Sequence, residues 1–118
     1  MDSILNSVKK VLSIADDYTA FDVDVIMHIN SVFNTLQQLG VGPEEGFAIE
    51  DEEAEWDEFL RGDTNLNSVK TYVYLRVRLL FDPPETSYAK DAMANQVQEL
   101  EWRLNVYREG IKTDDHQR

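Results

Sequence analysis

Asp24 and His28 stand one helical turn apart, a spacing at which a carboxylate can hold an imidazolium on the same helix face. No other pair in the chain comes closer to acid–base chemistry. The second histidine, His116, lies near the far end, and cysteine is absent. Thiolate nucleophiles, zinc–thiolate sites and disulfides are therefore excluded. The sequence contains no GxSxG, HExxH or phosphate-loop pattern. Catalysis needs a nucleophile, an acid/base pair or a metal at workable spacing, and none is present. His28 reads as a polar-face histidine beside a helix carboxylate, and no catalytic, cofactor-binding or metal-ligating residue is assigned.

Carboxylates are the one abundant reactive group. The chain carries 23 acidic against 11 basic residues, a net charge of −12. Nine of the acids, Glu44, Glu45, Glu50, Asp51, Glu52, Glu53, Glu55, Asp57 and Glu58, fall in one stretch without a Lys or Arg. A calcium loop needs oxygens at alternating positions and a glycine at its sharp bend. Residues 50–58 lack that glycine, which leaves a solvated acidic surface or a patch facing a partner. So negative a surface repels the phosphate backbone, against any gripping of nucleic acid. Among the bases, Arg76 and Arg78 sit in the most apolar segment of the chain. They either snorkel along a helix flank or pair with carboxylates of the same or a neighbouring subunit. Arg61-Gly62-Asp63 reads as a turn rather than an adhesion motif.

Helices must position these groups. At 118 residues and 42% hydrophobic content the chain suits one domain with one core, expected over residues 1–110 with a flexible polar tail at 111–118. The opening MDSILNSVKK lacks the basic-then-apolar order of a signal peptide, and no apolar run approaches the ~20 residues of a membrane span; a soluble, intracellular product is expected. Ile4, Leu5, Val8, Val11 and Leu12 predict a helix over about 2–13, and Thr19 or Asp22 can cap the next. Val25, Ile29, Val32, Leu36 and Leu39 step 4-3-4-3, widened by Phe21, Ile26 and Phe33. Gly40 supplies the left-handed stop, and Gly42-Pro43 keeps the chain irregular beyond it. Residues 47–49 suit a minimal strand or a loop tucked against the core. A short helix is expected over 51–60, with Trp56, Phe59 and Leu60 inward and Asp51 at its positive end.

Val69–Phe81 alternates like a strand at Val73, Leu75, Val77 and Leu79. It also fits a helical face through Val69, Tyr72, Val73, Val77 and Leu80. Its length and the lack of a pairing strand favour a helix, starting near Asn65 or Asn67. Pro83-Pro84 removes two backbone donors and pushes Asp82 out of helical geometry, so that helix ends by Phe81. A long last helix follows over about 87–108. Met93, Val97, Leu100, Leu104, Tyr107 and Ile111 form its seam, and Glu99–Arg103 an i, i+4 pair on its wet side. Trp56, Trp102, Tyr72 and Phe33 are expected in the core. The fold class is all-α, a small bundle of four to five helices with a long C-terminal helix.

Val69–Pro84 followed by ELEWRLNV at 99–106, with IMHINSV at 26–32 and LGVGP at 39–43 upstream, resembles the head–tail connector (adaptor) proteins of tailed bacteriophages over most of residues 1–108. The resemblance implies a small helical bundle without enzymatic activity or cofactor. It implies copies that close into a ring, about twelve in the virion, beneath the portal protein, where they extend the DNA channel and dock head-closure or tail proteins. Localisation would be the virion neck, after assembly in the host cytoplasm. DNA would pass nearby without specific binding, and no membrane is involved. The residues themselves agree: the last seam runs past the core to Tyr107 and Ile111, and surplus apolar stripe marks an interface. Candidate interface residues are Glu52, Glu53, Glu55, Arg61, Lys70, Arg76, Arg78, Tyr107 and Ile111, with the acids of one subunit meeting the bases of the next. The alternatives are an acidic DNA-mimic inhibitor and a small helical interaction module with another partner.

Overall fold

Ser3 starts the first helix: its Oγ accepts a hydrogen bond from the Asn6 amide at 3.2 Å, relieving one of the donors a helix leaves unpaired at its start. The computed structural model describes residues 3–61 and 66–116, without the side chains of 66 and 107–116. Within them run α1 (Ile4–Val11), α2 (Asp22–Gln38), α3 (Trp56–Leu60), α4 (Leu66–Phe81) and α5 (Ser87–His116). The expected all-α bundle forms. Among the described residues the β contact is a single isolated bridge, Ser3 to Glu55. Residues 47–49 are a loop rather than a strand.

α2 and α4 form the central pair, α1 packs against both, and α5 lies along α4. The 4-3-4-3 stripe of α2 is the core: Val25, Ile29, Val32, Phe33 and Leu36 are fully buried. From α4 come Val69, Tyr72, Val73 and Val77, also fully buried, which settles the strand-or-helix question by giving the segment one helical face. The Phe33 ring stacks on Phe59 at 4.5 Å and meets Phe47 and Trp56 edge-on at 5.4 and 6.3 Å. These contacts tie α3 and the 47–49 loop to α2. Asn30 adds a polar clamp, donating from Nδ2 to the Ile49 carbonyl and accepting at Oδ1 from the Ile49 amide. It pairs with that backbone as a neighbouring strand would.

The helix ends follow local chemistry. α2 closes with Gly40 at φ +84°; the amides of Gly40 and Val41 reach back to the carbonyls of Gln37 and Leu36, the Schellman arrangement. Gly42, at φ +88°, lies so near α3 that an added Cβ would stand 2.6 Å from Phe59 Cε1. α4 stops at Phe81 before the twin prolines, and the Arg78 guanidinium donates through Nε to the Asp82 carbonyl at 3.0 Å. Thr86 Oγ1 accepts from the Ala89 amide and begins α5.

Several expected boundaries move. α1 is shorter than 2–13; Ser13 turns left-handed at φ +64° and ends it. Asp22 does not cap α2. It lies inside the helix, after Phe21 at the cap position, and its carboxylate turns to Lys9. α3 begins at Trp56, not near Asp51, because the preceding backbone serves α1. The Glu52 carbonyl accepts from Ser3 Oγ at 2.6 Å and the Ala54 carbonyl from the Ile4 amide at 3.0 Å. A helix over these residues would turn both carbonyls along its own axis. α5 continues to His116 rather than stopping near Arg108. The position before Leu66, with Gly62 and Asp63 of the expected turn, lies outside the described residues.

Candidate functional site

The acidic segment is anchored through backbone and displayed through side chains. Glu52 and Glu53 are exposed, while Glu55 is half-buried and its amide donates to Glu58 Oε1 at 3.3 Å. Phe47, Ile49 and Ala54 floor an open hollow of about 390 Å³, rimmed by Glu50, Asp51, Glu53 and Glu58. Two of the candidate bases stand on this side of the molecule. Arg61, left-handed at φ +50°, places its guanidinium 3.7 Å from Glu45, a wide and exposed contact of little energetic weight. Lys70 holds its ammonium 5.7 Å from the Trp56 ring centre, a cation–π contact. Arg76 and Arg78 lie further along α4. The Arg76 Nε is buried without an acceptor, and Arg78 braces the end of its own helix. Tyr107 and Ile111 lie on α5, their side chains outside the described residues.

Two buried polar contacts escaped the sequence reading. Lys9, 1% exposed, sets its ammonium 2.8 Å from Asp22 Oδ1 and donates to the Asp16 carbonyl at 3.1 Å. The Asp22 contact is an ion pair without a well-directed hydrogen bond. Lys9 borders the arc of Leu5, Val8 and Leu12, a signal that an apolar count alone passes over. Across the α4–α5 contact, the Tyr72 hydroxyl donates to Glu101 Oε2 at 2.7 Å. Burial, and the carboxylate that accepts its proton, push the Tyr72 phenol well above its ordinary range.

Apolar side chains crowd parts of the outer surface as well. Val97 and Leu104 of α5 are buried against the bundle and Met93 and Leu100 half-buried, as the seam predicts. On the opposite side of α5, Tyr88, Trp102 and Val106 are 86%, 65% and 46% exposed. Trp102 is thus not the core residue expected, whereas Trp56, Tyr72 and Phe33 are. The outer face of α2 carries Val23 and Met27, 72% and 63% exposed. Phe21 and Tyr18 pack beside them in chain order but on another flank, around Phe81.

Chemically the arrangement suits recognition. His28 packs edge-on to the Phe81 ring at 6.1 Å, and among the described residues it forms no ion pair with Asp24. No group of three His, Asp or Glu side chains there gathers closely enough to hold a metal ion. Among the described residues no helix is long and apolar enough to cross a membrane. No curated protein and no solved structure matches the chain. The profile of the family described as "Phage connector protein" matches residues 4–111, spanning all five helices up to the last turns of α5. With residues 4–111 matched to that family, nearly the whole length, the chain belongs to the phage connector proteins.

Proposed function

We propose that this chain is a head–tail connector (adaptor) subunit of a tailed phage. Copies form a ring beneath the portal, extend the DNA channel and dock head-closure or tail proteins. The observation that carries the reading is the second apolar flank of α5: Tyr88, Trp102 and Val106 stand in solvent on the side away from the seam buried on α4. Exposed aromatic and aliphatic residues on one helix face mark a surface that another protein covers. Head-to-tail contacts close into a ring when their rotation divides the circle. The net charge of −12 suits a channel wall, since a negative surface lets the duplex slide without a sticking point.

Charge also supports the order of copies. The acids of residues 50–58 on one subunit would meet Arg61, Lys70, Arg76 or Arg78 of the next, and contacts of that kind weaken as salt rises. The test is incubation of the chain with purified portal rings, followed by electron microscopy and light scattering across a salt series. A ring stacked on the portal, loosened by salt, is expected. A chain that leaves portal rings bare at every ionic strength overturns the proposal.

A further inference from the structure

α5 presents a ridge and the α1–α4 contact presents a groove, and their chemistries match. On the ridge, Trp102 and Val106 are one turn apart, and Tyr88 lies eighteen residues before Val106, about five whole turns at 3.6 residues each. The groove, of about 480 Å³, is lined by Asn6, Ser7, Lys10, Val11, Asp16 and Tyr74, with Ser3 at one end. Its walls include apolar surface from Val11 and Tyr74. Asn6 Oδ1 is buried there without a donor, and the neighbouring Ser7 Oγ already accepts from Trp56 Nε1 at 3.0 Å. An indole offers a flat apolar body and one N–H donor with no acceptor. The apolar walls of the groove suit that flat body, and its polar lining suits the N–H.

Each surface is also flanked by one base and one acid. Lys10 and Asp16 border the groove; Glu99 and Arg103, paired with each other, flank Trp102. Docking would exchange that exposed pair for contacts of Glu99 with Lys10 and Arg103 with Asp16. The ridge cannot fill the groove of its own chain. Tyr72 points from α4 to Glu101 of α5, while Tyr74 borders the groove, and residues two apart on a helix are about 200° around the axis. Ridge and groove therefore lie on opposite sides of α4.

We propose that Trp102 of one copy seats in the α1–α4 groove of a second copy, an inference that rests on the ring-forming reading and names its contact. Two different surfaces meet, so the contact is heterologous and propagates from subunit to subunit. Tryptophan at the centre of such a contact carries a large share of its affinity.

The absence of cysteine from the chain makes the test direct. Val11→Cys and Val106→Cys are placed in separate chains, both at exposed positions, mixed with and without portal rings, and treated with a short bis-maleimide. Cross-linked dimer is expected in the mixture at least about tenfold above either variant alone, and Trp102→Ala in the Val106→Cys chain is expected to abolish it. Equal cross-linking within the single-variant samples overturns the proposal, because it signals a symmetric contact. Assembly of the unaltered chain on the portal without the mixed cross-link overturns this pairing and leaves the ring. Absence of both assembly and cross-link overturns the two together.

Discussion

The 8 residues of α1 bury Ile4, Leu5, Val8 and Lys9, whereas the 30 residues of α5 fully bury only Val97 and Leu104 among their described side chains. α1 is wedged against two helices, α2 and α4, while α5 leans on α4. Length is thus a poor guide to structural weight. The short helix is part of the core, and the long one is a beam fastened along one flank, about 45 Å at 1.5 Å per residue. Substitutions should hurt stability where α1, α2 and α3 meet, and association where α5 faces outward.

The largest expected effect tests the packed end. Phe33→Ala removes the ring against which Phe59, Phe47 and Trp56 pack and is expected to lower unfolding free energy by about 3–5 kcal/mol, read from the urea midpoint. A loss no greater than that of a surface substitution would dissolve the contrast between the two regions. Next comes the ion pair joining α1 to α2. Asp22→Asn strands a buried ammonium and should cost about 3 kcal/mol, while Lys9→Met combined with Asp22→Leu should recover most of that loss. Failure of the double variant to recover would mean that Lys9 holds α1 through the Asp16 carbonyl instead.

Tyr72→Phe addresses the fastening of α5. It removes the hydrogen bond to Glu101 and is expected to cost about 1 kcal/mol. The wild-type phenol is raised above its ordinary value of 10.0 when folded, so above that pH the unfolded chain loses the proton first. The contribution is therefore complete below pH 10.0 and declines as alkali rises past it; Tyr72→Phe should remove this part of the alkaline slope. The smallest effect belongs to the outer face. Trp102→Ala, at a position 65% exposed, should change unfolding free energy by less than about 0.5 kcal/mol. A larger drop in thermal melting would show that α5 uses both flanks within one subunit.

Periodicity made the inner architecture legible. The stepping of Val25, Ile29, Val32 and Leu36 marked a buried face, Gly40 marked its end, and Pro83-Pro84 marked the joint before α5; each rests on contacts within a few residues. Features set by distant partners were hidden. α3 lost its expected first turn because Ser3 and Ile4 claim carbonyls some fifty residues along the chain. Lys9 became a core residue because Asp22 arrived beside it. Trp102 illustrates the deeper limit: spacing tells which residues share a helix face, and only the packing of other elements decides whether that face is covered. Of the candidate interface, the display of Glu52 and Glu53 was readable from charge. That Arg78 braces its own helix end was not, since the acceptor is a backbone carbonyl.

The attachment of the acidic loop to α1 runs through main-chain oxygens of Glu52 and Ala54, groups that every amino acid carries. Glutamate at 52 or 53 can consequently be exchanged for neutral or even basic residues without unseating the loop. Charge and anchorage are written in separate atoms there, which leaves this corner of the molecule free to change its sign while the scaffold beneath stays as it is.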